Sequence, residues 1–471
     1  MKSKALLFFY FLVILLVLCA CVQAQPIATD SAKSDSDWHG YIGTGENYSF
    51  YYSDGRNYAW EEDIIFLADT YLTGHPALSD KECMVISYYG SYDEEITYTD
   101  EFYDAQLRQK FVQQINRLIP QIDQLTDTEV LFEIHRIVAT LSECHSSVGQ
   151  PLGDIFPIQL EAIYTEGCYA YYVKTVPADL SELLYARLVA INNIPVEEIV
   201  DRLAIYISHE YETFVVQKMT RGRYLSRKLA LEIAGVMGAD DKDAQLTFET
   251  QSGTMTCTMS VMTQEVYDQI ELIDGSISKH DLPIYRYADE KVYWYEILDE
   301  NTLYFRITSM SEDPNENWNK TFNEVGSILR TASTPMKLII DLRNNSGGSS
   351  TVMENFVSII NQCPSNGVYV LINESTASAA VITAQLLSDA VHRCVLVGSP
   401  AAQSANMFSL ISRASETLPN SGYPFSVSKK YVRAASNCND PTLMPDIVIY
   451  QTWEDYKKGI DSILEYVLCL S

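Results

Sequence analysis

Positive charge is scarce in this chain of 471 residues: 33 Lys and Arg stand against 62 Asp and Glu, a formal net charge of −29. So acidic a surface repels phosphate backbones and anionic headgroups, which argues against nucleic-acid binding and leaves solubility as the plainest use of the charge. No two of the ten cysteines form a CxxC pair, so a zinc ribbon or a thioredoxin-type site lacks its ligands. The eight cysteines beyond Cys21, at positions 83, 144, 168, 257, 363, 394, 438 and 469, are too widely spaced to dictate any pairing. No metal and no cofactor are expected. Internal repeats and low-complexity tracts are also missing. With 47% apolar residues the chain is globular, and its length suggests two or three domains.

The apolar run near the start, Ala5 to Leu18, is 14 residues, short of the ~20 that span a bilayer. Preceded by Lys2 and Lys4, it fits the h-region of a signal peptide over residues 1–20. Two cleavage readings compete. Leu18-Cys19-Ala20-Cys21 resembles a bacterial lipobox, in which Cys21 becomes the lipidated first residue; Val22-Gln23-Ala24 fits ordinary secretion. The first is preferred, giving a cell-surface lipoprotein. Either places the mature protein outside the cytoplasm, touching the membrane only through a lipid anchor.

Residues 21–45 are rich in Ser, Asp and Gly and read as a tether. Over 46–150 helical patterns dominate, as in "DTEVLFEIHRIVATL". Residues 151–291 mix strand-like runs such as "CYAYYVKTV" with helices such as "VEEIVDRLAIYI". From 292 to 471 strands and helices alternate, the signature of an α/β domain with helices covering a sheet.

Two stretches of that last region carry chemistry. "KLIIDLRNNSGGSS" leaves a strand through polar residues and the glycine pair Gly347-Gly348, ahead of an amphipathic segment. Glycines ease such turns, and they also bare backbone N–H groups that can cradle negative charge. The second stretch is "VYVLINESTASAAVITAQLL", in which Ser378 sits in the first turn of a helix, where free N–H groups favour an oxyanion. A serine there is more often a cap than a nucleophile.

Taken together, "DLRNNSGG" and, about thirty residues later, "TASAA" resemble the tail-specific (C-terminal processing) serine peptidase family. "LSECHSSVG" resembles the "DGHT"-type motif of its tricorn-like branch, which uses a His base. "LVAINNIPVEEI" looks like the core strand and turn of a degenerate PDZ-like module, and the tail "MPDIVIYQTWEDYKKGID" is similar to that branch as well. The likeness covers most of residues 125–471. It implies a ClpP/crotonase-like α/β catalytic domain, preceded by a helical segment and the PDZ-like module, that cleaves polypeptides through an acyl-enzyme. On that likeness Ser378 is the nucleophile, and backbone N–H groups of Gly347 or Gly348 and of Ala379 form the oxyanion hole.

One branch of the family takes its base from a Lys about 25 residues after the serine, but no Lys lies between Leu338 and Ser428. The base is therefore assigned to His145; the other six histidines, His135 included, are read as structural, His135 facing solvent or capping its neighbours. The acid that would orient the imidazole is placed at Asp440, with Asp446 and Glu416 as alternatives. The sequence also departs from the family. "GSPAAQ", Gly398 to Gln403, stands where "GEPTGG" is usual, so Ser399 replaces a Glu and the glycine pair is lost, while the acid before the motif His is Glu143. An exported serine endopeptidase is the leading expectation, and a catalytically inactive protein holding peptides in the same cleft is the alternative. An enoyl-hydratase-like acyl enzyme is disfavoured by export and by the paired Ser and His motifs.

Overall fold

Runs such as Thr302–Ile307 and Met336–Asp341 are buried at every position, the burial expected of strands covered on both faces. In the computed structural model they lie side by side in a six-stranded sheet. The model describes residues 55–88, 94–149, 153–274, 291–312, 317–349, 354–411, 415–435 and 440–470; the leader, Cys21 and the tether lie outside them. The sheet runs in chain order: β1 (Tyr293–Asp299), β2 (Thr302–Ile307), β3 (Met336–Asp341), β4 (Ser365–Ile372), β5 (Cys394–Gly398) and β6 (Ile447–Val448). β1 pairs antiparallel with β2, and every later pair is parallel.

Alternation along the strands splits the sheet's two faces. Leu303, Phe305, Leu338, Ile340, Val370 and Ile372 meet Phe322, Phe356 and Leu386 of the crossover helices. Tyr304, Ile339, Leu371 and Val397 turn the other way and pack on Ile463, Leu464 and Val467. Parallel strands bring the loops after β3 and after β4 to the same sheet edge, the edge where open α/β sheets hold ligands.

Two more apolar clusters lie among the described residues. One fills the unit built on the strands Gln159–Thr165, Cys168–Pro177, Arg187–Ile191, Asp243–Thr250 and Gly253–Ser260. The other lies among the helices Gly55–Gly74, Ala105–Leu118 and Asp127–Ala139, joined by Leu418, Phe425 and Val427 from far along the chain. The expected helical segment also contains two strands, Cys83–Tyr88 and Glu94–Thr99, the first of them pairing in parallel with Lys430–Arg433. His135, expected at the surface, is buried instead, its Nε2 3.1 Å from the Gly149 carbonyl oxygen, and burial drives its pKa down to about 4.

Candidate active site

The loop after β3 begins on a buried charge network. The Asp341 carboxylate, 0% exposed, receives Arg306 Nη1 at 2.6 Å, Arg343 Nη2 at 2.6 Å and the Tyr304 hydroxyl at 2.6 Å. Burial alone would raise its pKa, yet the two guanidinium groups and these hydrogen bonds bring it down to about 2. Arg343 reaches on to both oxygens of Asp461, at 2.8 and 2.7 Å. Asn345 then makes a turn of its own. Its Oδ1 accepts from Gly347 N–H at 2.9 Å while its Nδ2 donates to the Ile307 carbonyl at 3.0 Å.

The loop after β4 is laced to the first. Asn344 N–H donates to Asn373 Oδ1 at 2.9 Å, and Asn373 Nδ2 returns a bond to Asn344 Oδ1 at 2.8 Å. Thr376 Oγ1 donates to the Leu342 carbonyl, and Ala377 N–H to that of Asn345. Ser378 emerges from this lacing with φ 52° and ψ −126°, a conformation that costs an L-residue about 1–3 kcal/mol and persists only where its surroundings enforce it. Its side chain makes no capping bond, so it is not the ordinary helix cap that the sequence allowed. The helix Ala379–Ala390 starts at the next residue.

His145 arrives from the segment after Asp127–Ala139 and places Nε2 3.0 Å from Ser378 Oγ. Its backbone is pinned by Glu143, whose carboxylate accepts from His145 N–H at 2.7 Å, Ser146 N–H at 2.8 Å and the Ser428 hydroxyl at 3.0 Å. His75, fully buried, accepts the Ala77 N–H on Nδ1 and so turns Nε2–H toward Glu143 Oε1, 3.4 Å away. Burial would raise the pKa of Glu143, but the two histidines and the Ser146 hydrogen bond hold it below the usual range. On the far side of the ring from Ser378, His145 Nδ1 lies 3.8 Å from the Cys144 thiol. Nε2 faces the Ser378 hydroxyl and is the nitrogen placed to accept its proton. Burial, aided by the Lys430 charge, lowers the pKa of His145, and Glu143 with the Phe408 carbonyl opposes the shift.

One expected site residue is reassigned by this geometry, Gly347. Asp440, the expected acid, is exposed, whereas the buried carboxylate on the His145 segment is Glu143, which holds the His145 N–H. Asp446 accepts the Leu396 N–H, and Glu416 faces Lys429 at 3.4 Å, so neither alternative serves the ring. Gly347 is not an open donor, since its N–H is committed to Asn345. Its role is room: at φ +95°, a Cβ would lie 2.6 Å from Ser378 Cβ and 2.9 Å from Ala379 N. Gly348 sits in a parallel bridge with Met310, made by Gly347 O and Ser349 N, which turns its own N–H away from that strand. Ala379, first in its helix, has no intrahelical acceptor for its N–H. Ser378 N–H is taken by Gln403 Oε1 at 2.9 Å, the side chain standing where the usual glycine pair is missing. Among the described residues no group of three His, Cys, Asp or Glu could hold a metal.

A serine hydroxyl on a strained turn, facing the free nitrogen of a neutral imidazole, belongs to the serine hydrolase class, and the chain is a serine peptidase. The model of peptidase family S41 matches residues 301–364, the span that includes the loop after β3. No curated protein sequence matches the chain. Among solved structures, mature CPAF is similar over 87% of this chain and 96% of its own, with a TM-score of 0.56 at 14% identity. Mature CPAF complexed with lactacystin covers 86% and 96%, with a TM-score of 0.55 at 14% identity. At that identity the likeness is one of fold.

Proposed function

We propose that this chain is an exported serine endopeptidase that cleaves polypeptides through an acyl-enzyme on Ser378. The observation that carries the reading is the 3.0 Å approach of His145 Nε2 to Ser378 Oγ, within reach for proton transfer. As Oγ attacks the scissile carbonyl carbon, its proton passes to Nε2. The oxyanion that forms is received by the N–H of Ala379 and that of Gly348, each such donor contributing about 3–4 kcal/mol to the transition state. The imidazolium gives its proton to the leaving amine. Water then attacks the ester with His145 again as base, and Ser378 is released. The Glu143 charge favours the imidazolium at each proton transfer.

The finer assignments of the sequence extend this reading. The sheet of β1–β6 is taken as a ClpP/crotonase-like core, and the turn at Asn192-Asn193, both at positive φ, as part of a degenerate PDZ-like module. Export rests on the leader, with Cys21 as the lipidated residue; mass spectrometry of the mature N-terminus should find diacylglyceryl Cys21, and an unmodified Gln25 start would replace the anchor by free secretion. The test of the activity is a fluorophosphonate probe. Labelling of Ser378, lost in Ser378→Ala, supports the peptidase; a folded protein that stays unlabelled is a binding protein on this fold.

A further inference from the structure

The cleft over Ser378 has one wall that the proposed chemistry does not use. It is formed by the helix Glu212–Thr220 and the residue that caps it, and it presents Gln217, Lys218 and Arg221 across from His145, Ser378 and Gln403. Lys218 and Arg221 are three residues apart and share a helix face. Basic groups are outnumbered almost two to one here, so a cation in a folded surface should find a carboxylate easily. Neither of these does. Among the described residues, no carboxylate stands within ion-pair distance of Lys218 or Arg221. The Lys218 ammonium lies 4.9 Å above the Phe214 ring, and Arg221 donates only to the Asn344 carbonyl, at 3.3 Å. Glu161 and Glu374 act on Arg221 only from further away. Lys218 is half-buried and its pKa is lowered by that burial, so leaving it without a counter-ion is costly for the free protein.

We propose that Lys218 and Arg221 form an anion subsite of the cleft that binds a carboxylate of the polypeptide substrate close to the scissile bond. The proposal rests on the peptidase reading of the same cleft. An incoming carboxylate replaces water around a poorly solvated ammonium and finds a planar guanidinium beside it, so the gain is larger than for an exposed pair. Specificity follows from charge: an acidic side chain is accepted, while its amide leaves the ammonium unpaired and a basic side chain is repelled. Two sources supply this chemistry, the side chain of Asp or Glu and the free α-carboxylate of a chain end.

The experiment is cleavage-site mapping by mass spectrometry on randomised peptide libraries, one with amidated and one with free C-termini, run beside fluorophosphonate labelling. Expected is an enrichment of Asp or Glu over Asn or Gln, by about tenfold, at one position within two residues of the cut. Lys218→Gln and Arg221→Gln should reduce that enrichment while Ser378 still labels, Lys218→Arg should keep it, and Lys218→Glu should turn the preference toward Lys or Arg. Enrichment in the amidated library assigns side-chain carboxylates; a preference confined to cuts near free C-termini assigns the α-carboxylate. Cleavage without any acidic preference, or an equal loss for acid and amide peptides in Lys218→Gln, overturns the subsite and leaves the peptidase reading standing. If Ser378 in the folded protein neither labels nor cleaves, both readings fall together.

Discussion

A neutral imidazole beside a hydroxyl acts as a base only while it stays neutral, so the pH dependence of this site is set at His145. Its pKa is depressed, first by burial, and only the unprotonated ring can accept from Ser378. Activity should therefore rise with pH with a midpoint below the ~6.5 of an ordinary histidine. Glu143→Gln removes a charge that opposes the depression, so it should move the midpoint lower still and reduce kcat; a midpoint that moves up refutes the role given to Glu143. Gly347 makes a different prediction. A Cβ there would meet the Ala377 carbonyl oxygen at 2.8 Å as well as Ser378, so Gly347→Ala should lower the melting temperature and abolish labelling together. A variant that melts normally but turns over slowly would return Gly347 to the oxyanion hole. At this scale the sequence was legible where chemistry resides in side chains, as at Ser378 and His145. It was not legible where a buried neighbour comes from far along the chain: nothing in the sequence marks His75 as the group beside Glu143. The choice between adjacent glycines turned on which N–H the Asn345 side chain captures, and the Asn-x-Gly spacing was the one available sign of it.

Strands and helices decide whether those residues can meet. Arg343, 2% exposed, joins the end of β3 to Asp461, and Asp461 also caps the helix Ser462–Cys469 by accepting from Ile463 and Leu464 N–H. Removing one partner of such a buried pair leaves an uncompensated charge and costs about 3–5 kcal/mol. Asp461→Ala should accordingly lower the melting temperature steeply and weaken fluorophosphonate labelling, although Asp461 makes no contact with Ser378 or His145; full labelling at unchanged stability would show that the β3 loop holds without this brace. The central strands could be read from the sequence because both of their faces are covered and their apolar runs are unbroken. Cys83–Tyr88 escaped the same reading because its partner, Lys430–Arg433, lies near the other end of the chain, and no local pattern announces so distant a pairing.

Across the whole molecule, buried groups with displaced pKa values bound the pH range of stability from both sides. His135 titrates at about 4 in the folded protein and near 6.5 unfolded, so its contribution is present above pH ~6.5 and is lost as pH falls through about 4. Asp341, at about 2, adds a loss below its ordinary range. Glu210, whose Oε2 accepts the Ser404 N–H, is raised by burial to about 8; its contribution is present below pH ~4.5 and lost as pH rises through about 8. Melting temperature should therefore peak in mildly acidic solution, and Glu210→Gln should flatten the alkaline side; an unchanged fall toward pH 8 in that variant would clear Glu210 of the effect. The joining of His145 to Ser378, 233 residues apart in sequence, has one further consequence, for the history of each molecule. Contacts between such distant segments close late, after local structure has formed. A chain still being synthesised carries its base long before its nucleophile, and then waits on the strand Lys430–Arg433 to seat the segment around them. The pairing of Ser378 with His145 is thereby withheld until the chain has been made through Arg433. In refolding from denaturant, Ser378 labelling should recover measurably later than the far-ultraviolet circular dichroism, and simultaneous recovery would show that the pair forms early.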